Sequence, residues 1–80
     1  MHHVNKAFKR IFLTLPEEKK QFSEMSGKIV LWILEGRSIW YMADNLHLHP
    51  TAVEQIIDDM AYVLMRRVGK KRFIKALFTR

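Results

Sequence analysis

The sequence predicts an all-α fold, a bundle of four to six helices that contains a helix-turn-helix. Apolar residues recur at helical spacing along most of the 80 residues, and no stretch alternates as a half-buried strand does. Between Arg37 and Leu64, two helical patterns flank a short break at His47-Leu48-His49. A hydrophobic content of 49% in a chain of this length suits a single domain. We divide it into an extra N-terminal segment (1–22), a helix-turn-helix core (23–68) and a C-terminal helix (69–80).

Residues 4–13 and 16–21 predict two short helical pieces with a sharp bend between them. Pro16 favours a new start, and Thr14 with Glu17 fits a capping box for the second piece. The apolar face of the first piece consists of Val4, Ala7, Phe8, Ile11, Phe12 and Leu15. The opposite, polar face consists of Asn5, Lys6, Lys9 and Arg10.

The next helix is predicted to run from a cap at Ser23 to Leu34. Glu35-Gly36 ends it, because glycine accepts the left-handed conformation of a helix stop. Gly27 costs a helix about 1 kcal/mol relative to alanine, which favours tight packing at that position. The expected apolar face consists of Met25, Ile29, Trp32 and Ile33, with Val30 and Leu34 partly buried.

Residues 37–64 predict two helices joined by a tight turn. Ser38 is a good N-cap for the first helix, and Pro50 suits the first position of the second, where no N–H is needed. The small residue Ala43 fits the close approach of the two helices, and Leu48 fits the angle between them. The expected buried side chains are Ile39, Met42, Ala43, Leu46, Val53, Ile56, Ile57, Met60, Ala61 and Leu64. The alternative is a plain helical hairpin inside a bundle.

The helix that begins at Pro50 is predicted to end at Val68, where Gly69 stops it. The last helix has an apolar face with Phe73, Ile74, Leu77 and Phe78, and a basic face with Lys70, Lys71, Arg72 and Lys75. Candidate contacts for a homodimer or a protein partner are Trp40, Tyr41, Phe73, Leu77 and Phe78. The alternative is that the apolar face of the last helix closes the core. For Trp40 we favour packing under the N-terminal helix.

Charge is distributed unevenly along the chain, whose formal net charge is +6. Residues 66–80 contain seven basic residues and no acid, whereas residues 35–59 contain five acids and one base, Arg37. A basic tail indicates a polyanionic partner, with a solvated cationic face as the alternative.

The residues present disfavour several classes of function. The chain has no cysteine, and His47 with His49 is weak evidence for a metal site, so we expect no metal and no cofactor. No glycine-rich phosphate loop, HExxH motif or nucleophile motif occurs, and we interpret the chain as non-enzymatic. The longest apolar run, Ile29 to Leu34, is six residues, whereas a membrane span needs roughly 20. We therefore expect a soluble, cytoplasmic protein.

A family pattern runs without a gap from Ser23 to Leu64. It comprises Ile33, Glu35-Gly36-Arg37-Ser38, Met42-Ala43, Leu46, Leu48, Pro50, Val53, Met60 and Leu64. On these residues the chain resembles the LuxR/GerE-type helix-turn-helix domain, a relative of the promoter-reading region of bacterial sigma factors. The resemblance implies a four-helix DNA-binding module whose third helix, from Pro50 onward, enters the major groove. It also implies a final helix, Lys71 to Phe78, of a kind often used to pair subunits.

In this interpretation the residues that face DNA bases are Thr51, Glu54, Gln55 and Asp58. The candidate phosphate contacts are Arg37, Ser38, Arg66, Arg67, Lys70, Lys71 and Arg72. Glu54 and Asp58 depart from the family, which usually offers basic or polar side chains there. The main hypothesis is a transcription regulator that binds double-stranded DNA. The alternative is a protein–protein interaction module that uses the acidic face of the third helix and binds no DNA.

Overall fold

The computed structural model describes residues 4–22 and 24–78. The α-helices are α1 (Val4–Thr14), α2 (Glu24–Leu34), α3 (Ile39–Leu46), α4 (Pro50–Val68) and α5 (Lys70–Phe78). A 3₁₀ helix, Pro16–Gln21, connects α1 to α2. Since these described ranges contain no strand, the predicted all-α fold is confirmed. Ser23, the predicted cap of α2, lies outside the described residues.

One hydrophobic core joins all five α-helices. Its largest fully buried side chains are Phe8, Ile11, Ile29, Ile33, Met42, Ile57 and Leu64, and Phe73 of α5 is 4% exposed beside them. Each such side chain stabilises the fold by roughly 1.5–3 kcal/mol through burial. Within α1, the rings of Phe8 and Phe12 stack with their centroids 5.6 Å apart. The helix α1 packs against α5, α2 and α4, so the extra N-terminal helix is part of the core.

Helices α3 and α4 are joined by a turn over residues 47–49 that is held by local hydrogen bonds. The Ser38 Oγ accepts the Tyr41 N–H at 3.1 Å and caps α3, as predicted. His47 closes α3 in the left-handed conformation (φ 56°), and the Leu48 N–H then donates to the Ala43 carbonyl at 3.0 Å. His49 caps α4, because its Nδ1 accepts the Thr51 N–H at 3.1 Å. These bonds fix the direction in which α4 leaves the turn.

Two glycines end helices as the sequence predicted. Gly36 follows α2 with φ +79°, and Gly69 separates α4 from α5 with φ +94°. Residues that carry a side chain rarely adopt these backbone conformations, so glycine is favoured at both turns. Gly27 differs from them, because a Cβ placed there would meet no atom within 4 Å. The tight packing predicted at Gly27 is therefore wrong.

The predicted faces of α2 and α5 are each rotated in the structure. In α2 the buried side chains are Ile29, Val30 and Ile33, and the rotation toward Val30 leaves Met25 44% exposed. In α5 the buried side chains are Phe73 and Ala76, and the rotation toward Ala76 leaves Ile74 and Phe78 exposed. Sequence periodicity locates an apolar stripe, but the neighbouring helices decide which edge of the stripe they cover.

Two further predictions in the N-terminal segment are wrong. Thr14 does not cap the following helix, because its hydroxyl donates back to the carbonyls of Arg10 and Ile11 at 3.2 and 3.1 Å. It is the last residue of α1 instead. Asn5, predicted on a polar outer face, is only 5% exposed.

Candidate nucleic-acid interface

The four predicted base-facing residues form one exposed row on the first half of α4. Thr51, Glu54, Gln55 and Asp58 are all exposed, and their spacing of three, four and seven residues places them on one helix face. The opposite stripe of α4 is buried through Val53, Ile57, Met60, Ala61 and Leu64. The buried stripe anchors the helix, so the exposed row is presented on a rigid element.

This row, together with Asp59, is acidic. Glu54, Asp58 and Asp59 are exposed carboxylates, and the first basic residue of α4 is Arg66. The Gln55 Nε2 donates to the Asp59 Oδ1 at 3.1 Å, so the amide is already engaged within the helix. A DNA base that binds Gln55 has to compete with this bond.

Arg37 and Ser38 lie at the N-terminal end of α3. The guanidinium of Arg37 lies over the Tyr41 ring, 4.7 Å from its centroid, and its Nε is 3.7 Å from the Glu35 Oε1. Both partners of the Arg37–Glu35 pair are more than half exposed, so the pair contributes little to stability. Ser38 is exposed, and its Oγ is used as the helix cap. Arg37 therefore keeps guanidinium N–H groups that can reach an anion.

The two arginines at the end of α4 have different environments. The Arg67 Nε donates to the Glu18 Oε2 and ties α4 to the 3₁₀ helix, with the Glu18 side chain only 19% exposed. Arg66 is exposed, and its guanidinium lies 5.9 Å from the centroid of the Tyr62 ring. Of this pair, Arg66 is the better placed to meet a phosphate, because Arg67 already holds a carboxylate.

The first turn of α5 carries three exposed bases, Lys70, Lys71 and Arg72. They stand at the positive end of the helix dipole, where cations destabilise a helix. The dipole of α5 therefore does not account for these three cations. The phosphate candidates on α5 and at Arg66 thus remain exposed, whereas Arg67 is paired.

Sequence reasoning missed a further base in this region. A groove of about 410 Å³ between α1 and α5 is lined by Arg10, Arg72 and Lys75. The Nε of Arg10 is buried, and within the described part of the chain it has no hydrogen-bond partner. Nothing in the sequence places Arg10 beside Arg72, because the two are brought together by the packing of α1 on α5. We use the name basic surface for the cations Arg66 of α4, Lys70, Lys71 and Arg72 of α5 and Arg10 of α1, of which Arg10 and Arg72 line the same groove.

The candidate dimer or partner contacts are separated by the fold. Phe73 is buried and Leu77 is half-buried in the core, whereas Phe78 is 80% exposed. Tyr41 packs edge-on against Trp32, with ring centroids 5.8 Å apart. Trp40 is 73% exposed, so the predicted packing under the N-terminal helix is wrong. The reason is that the buried face of α3, centred on Met42 and Ala43, leaves Trp40 beyond its edge.

Two other kinds of site are not found in the described ranges. Within residues 4–22 and 24–78, no three His, Cys, Asp or Glu side chains come together as ligands of a metal ion. None of the helices described has the length and apolar content needed to cross a bilayer.

Comparison with known proteins identifies no relative of this chain. The chain matches no protein-family model, no curated protein and no solved structure.

Proposed function

We propose that this chain is a DNA-binding transcription regulator of the LuxR/GerE-like helix-turn-helix type, in which α4 enters the major groove. The observation that carries the proposal is the exposed row of Thr51, Glu54, Gln55 and Asp58, backed by a fully buried stripe. The row begins directly after the turn, where the resemblance puts the groove-facing helix. The major groove, about 12 Å wide, admits one α-helix.

The chemistry of the row favours adenine and cytosine. The Gln55 amide can pair with the N6 and N7 of adenine once it leaves Asp59. The carboxylates of Glu54 and Asp58 can accept hydrogen bonds from the N4 amino group of cytosine. The same carboxylates repel phosphates, so the row supplies specificity and the affinity has to come from elsewhere.

The basic surface supplies that affinity in the proposal. Lys70, Lys71 and Arg72 are exposed and stand where the dipole of α5 disfavours cations, which supports a role outside folding. Arg66 and Arg10 extend the positive charge onto α4 and α1. Arg37 adds a charge beside the N-terminus of α3, a helix end that also attracts phosphate.

The test is fluorescence anisotropy of a labelled random duplex of about two helical turns, titrated with the protein at two salt concentrations. We expect a dissociation constant of about 1–100 µM near physiological salt and much tighter binding at low salt. Replacing Lys70, Lys71 and Arg72 with alanine should lower the slope of log K against log salt by up to about 3. The control replaces Lys9, Lys20 and Lys28, which removes the same charge from other elements. An unchanged slope in the first variant would contradict the proposal.

A second candidate function is a protein–protein interaction module, and the exposure of Trp40 favours it. Trp40 is 73% exposed and lines the same groove as Glu54 of the exposed row on α4. An exposed aromatic side chain beside carboxylates suits a partner with a basic and apolar surface, such as a polymerase or sigma subunit. In that case the duplex does not bind even at low salt, and Glu54→Lys abolishes binding of the partner. Salt-dependent duplex binding by the unmodified chain would count against this candidate.

A further inference from the structure

The groove of about 410 Å³ between α1 and α5 gathers three cations around one concave space. Arg10 comes from α1, and Arg72 and Lys75 come from α5. The other described residues that line the groove are uncharged and mostly apolar, namely Ile11, Thr14, Leu15 and Ala76. Its volume falls in the range of about 300–1,000 Å³ that is typical of small-molecule sites.

The positive charge of this groove is the first observation that points to a ligand. None of the described residues that line it is acidic. Among the described residues the ion pairs involve Arg37 and Arg67, so neither Arg10 nor Arg72 holds a carboxylate there. A cleft lined by charges of one sign raises the local concentration of counter-ions. The complementary ligand for the groove is therefore an anion.

The environment of Arg10 is the second observation. Arg10 is half-buried, whereas Arg72 and Lys75 are exposed. Its Nε is buried and has no hydrogen-bond partner in the described part of the chain, so part of the guanidinium has left water without gaining an acceptor. Since the Nε is buried, a ligand reaches Arg10 through its terminal nitrogens. A partly desolvated charge attracts a nearby anion more strongly than a fully solvated one, because the local dielectric is lower.

Three cations around one space favour an anion that carries more than one charge. A phosphomonoester carries a charge of about −1.5 to −2 at pH 7, together with three strong acceptor oxygens. A carboxylate or a phosphodiester of a nucleic-acid backbone carries only a single negative charge. The planar fork of an arginine also matches the geometry of phosphate oxygens. The apolar part of the lining suits an organic group attached to the phosphate.

We propose that this groove binds a small organic phosphomonoester. Its phosphate group lies among Arg10, Arg72 and Lys75, and its organic group lies against Leu15 and Ala76. The proposal goes beyond DNA binding and does not depend on it, so it is tested on the free protein in the absence of DNA.

The experiment titrates phenyl phosphate into ¹⁵N-labelled protein at low salt, in a buffer that contains no phosphate. NMR follows the Nε–H signal of the Arg10 side chain and the backbone amide signals of Leu15 and Ala76. We expect saturable shifts of all three with a dissociation constant of about 1 mM. Inorganic phosphate lacks the apolar group, and benzenesulfonate keeps the ring but carries a single charge. Each should bind about tenfold more weakly than phenyl phosphate.

Variants then separate binding from folding. Arg10→Met removes the charge and the unpartnered Nε but keeps a flexible apolar stem. It should therefore leave the melting temperature unchanged or raise it, while weakening phenyl phosphate binding about tenfold. Lys75→Gln acts on the other helix and should weaken binding about threefold. The matched control is Lys6→Gln, which removes one charge from an exposed residue of α1 that does not line the groove, and binding should stay unchanged.

Any of four results would overturn the proposal. The first is the absence of saturable shifts with phenyl phosphate, and the second is equal binding of benzenesulfonate and phenyl phosphate. The third is unchanged binding in both Arg10→Met and Lys75→Gln. The fourth is a DNA duplex that shifts the Arg10 signal when phenyl phosphate does not, which would assign the groove to the DNA backbone. Because the titration contains no DNA, failure of the proposed DNA binding would leave its first three readouts unaffected.

Discussion

The two ends of α4 carry opposite charge although they belong to one continuous helix of 19 residues. The first half presents Glu54, Asp58 and Asp59, whereas the last turn presents Arg66 and Arg67 and leads into the bases of α5. Asp58 and Arg66 are about 12 Å apart along the axis, at about 1.5 Å per residue. This exceeds the Debye length of about 8 Å at physiological salt. The acidic end therefore does not neutralise the basic end, and the two can act on a polyanion separately.

The two ends also differ in whether the helix itself explains their charge. Arg66 and Arg67 stand in the last turn of α4, where cations are favourable, and Arg67 additionally pairs with Glu18. Glu54 and Asp58 lie four residues apart and destabilise the helix through like charge, and Lys70 to Arg72 oppose the dipole of α5. The charges that their own helix opposes are thus Glu54 with Asp58 on α4 and Lys70 to Arg72 on α5. Those are the groups that the proposed function uses.

The largest expected effect comes from shortening one buried side chain beneath the acidic half of α4. Ile57 is fully buried under the acidic half of α4, so Ile57→Ala should cost about 2–5 kcal/mol of unfolding free energy. The control is Ile74→Ala, since Ile74 is 40% exposed and should cost much less. Urea denaturation monitored by circular dichroism measures both. Equal losses would show that the helices are not packed as described.

The second prediction converts the acidic end into a basic one. The double variant Glu54→Lys and Asp58→Lys should bind a random duplex about tenfold more tightly and steepen the salt slope by about 2. It should at the same time lose discrimination between duplex sequences, because the base-facing carboxylates are gone. Anisotropy titrations against random and selected duplexes check both effects. If the duplex affinity does not rise, the first half of α4 does not approach DNA.

The third prediction concerns the basic residues of α5, whose removal should weaken DNA binding but stabilise the fold. Replacing Lys70, Lys71 and Arg72 with alanine weakens DNA binding, but it should stabilise the fold by up to about 1 kcal/mol. The reason is that three cations leave the positive end of the α5 dipole and alanine is the better helix former. Thermal unfolding of this variant and of the variant at Lys9, Lys20 and Lys28 gives the comparison. A destabilised triple variant would mean that these bases hold the fold together.

The smallest expected effect lies away from both ends of α4. Gly27→Ala should stabilise the protein by about 0.5–1 kcal/mol, because the added methyl group meets open space inside α2. Gly36→Ala is the matched control and should destabilise it, since its φ of +79° strains any side chain. Neither variant should change the salt slope of duplex binding. Thermal denaturation measures the stability of both variants. A loss of stability in Gly27→Ala would contradict the finding that a Cβ at this position meets no neighbouring atom.

Much of the fold was predictable because its signals are local. Ser38, Gly36 and Gly69 act through their own backbone and near neighbours, so the caps and stops could be assigned from the sequence. The row on α4 follows from helical periodicity in the same way. The exposure of Trp40 and the burial of Asn5 were missed, because each depends on how far a helix rotates against its neighbours.

The candidate site was only partly predictable because its remaining contacts join distant parts of the chain. Arg67 donates to Glu18, a partner 49 residues away, and no spacing rule predicts that pairing. Arg10 reaches the basic surface only because α1 packs on α5. The sequence therefore predicted the types of charge on each helix, but the structure decides which charges are paired and which meet at one surface.

The central claim is that the first half of α4 approaches DNA while the basic surface holds its phosphates. The most direct test is an NMR footprint, in which a duplex is added to ¹⁵N-labelled protein and amide shifts are mapped along the chain. We predict that the largest shifts fall on Thr51 to Asp58 and on Lys70 to Arg72, with little change at the exposed residue Leu31 of α2. Shifts confined to α5, with none on the first half of α4, would contradict the claim.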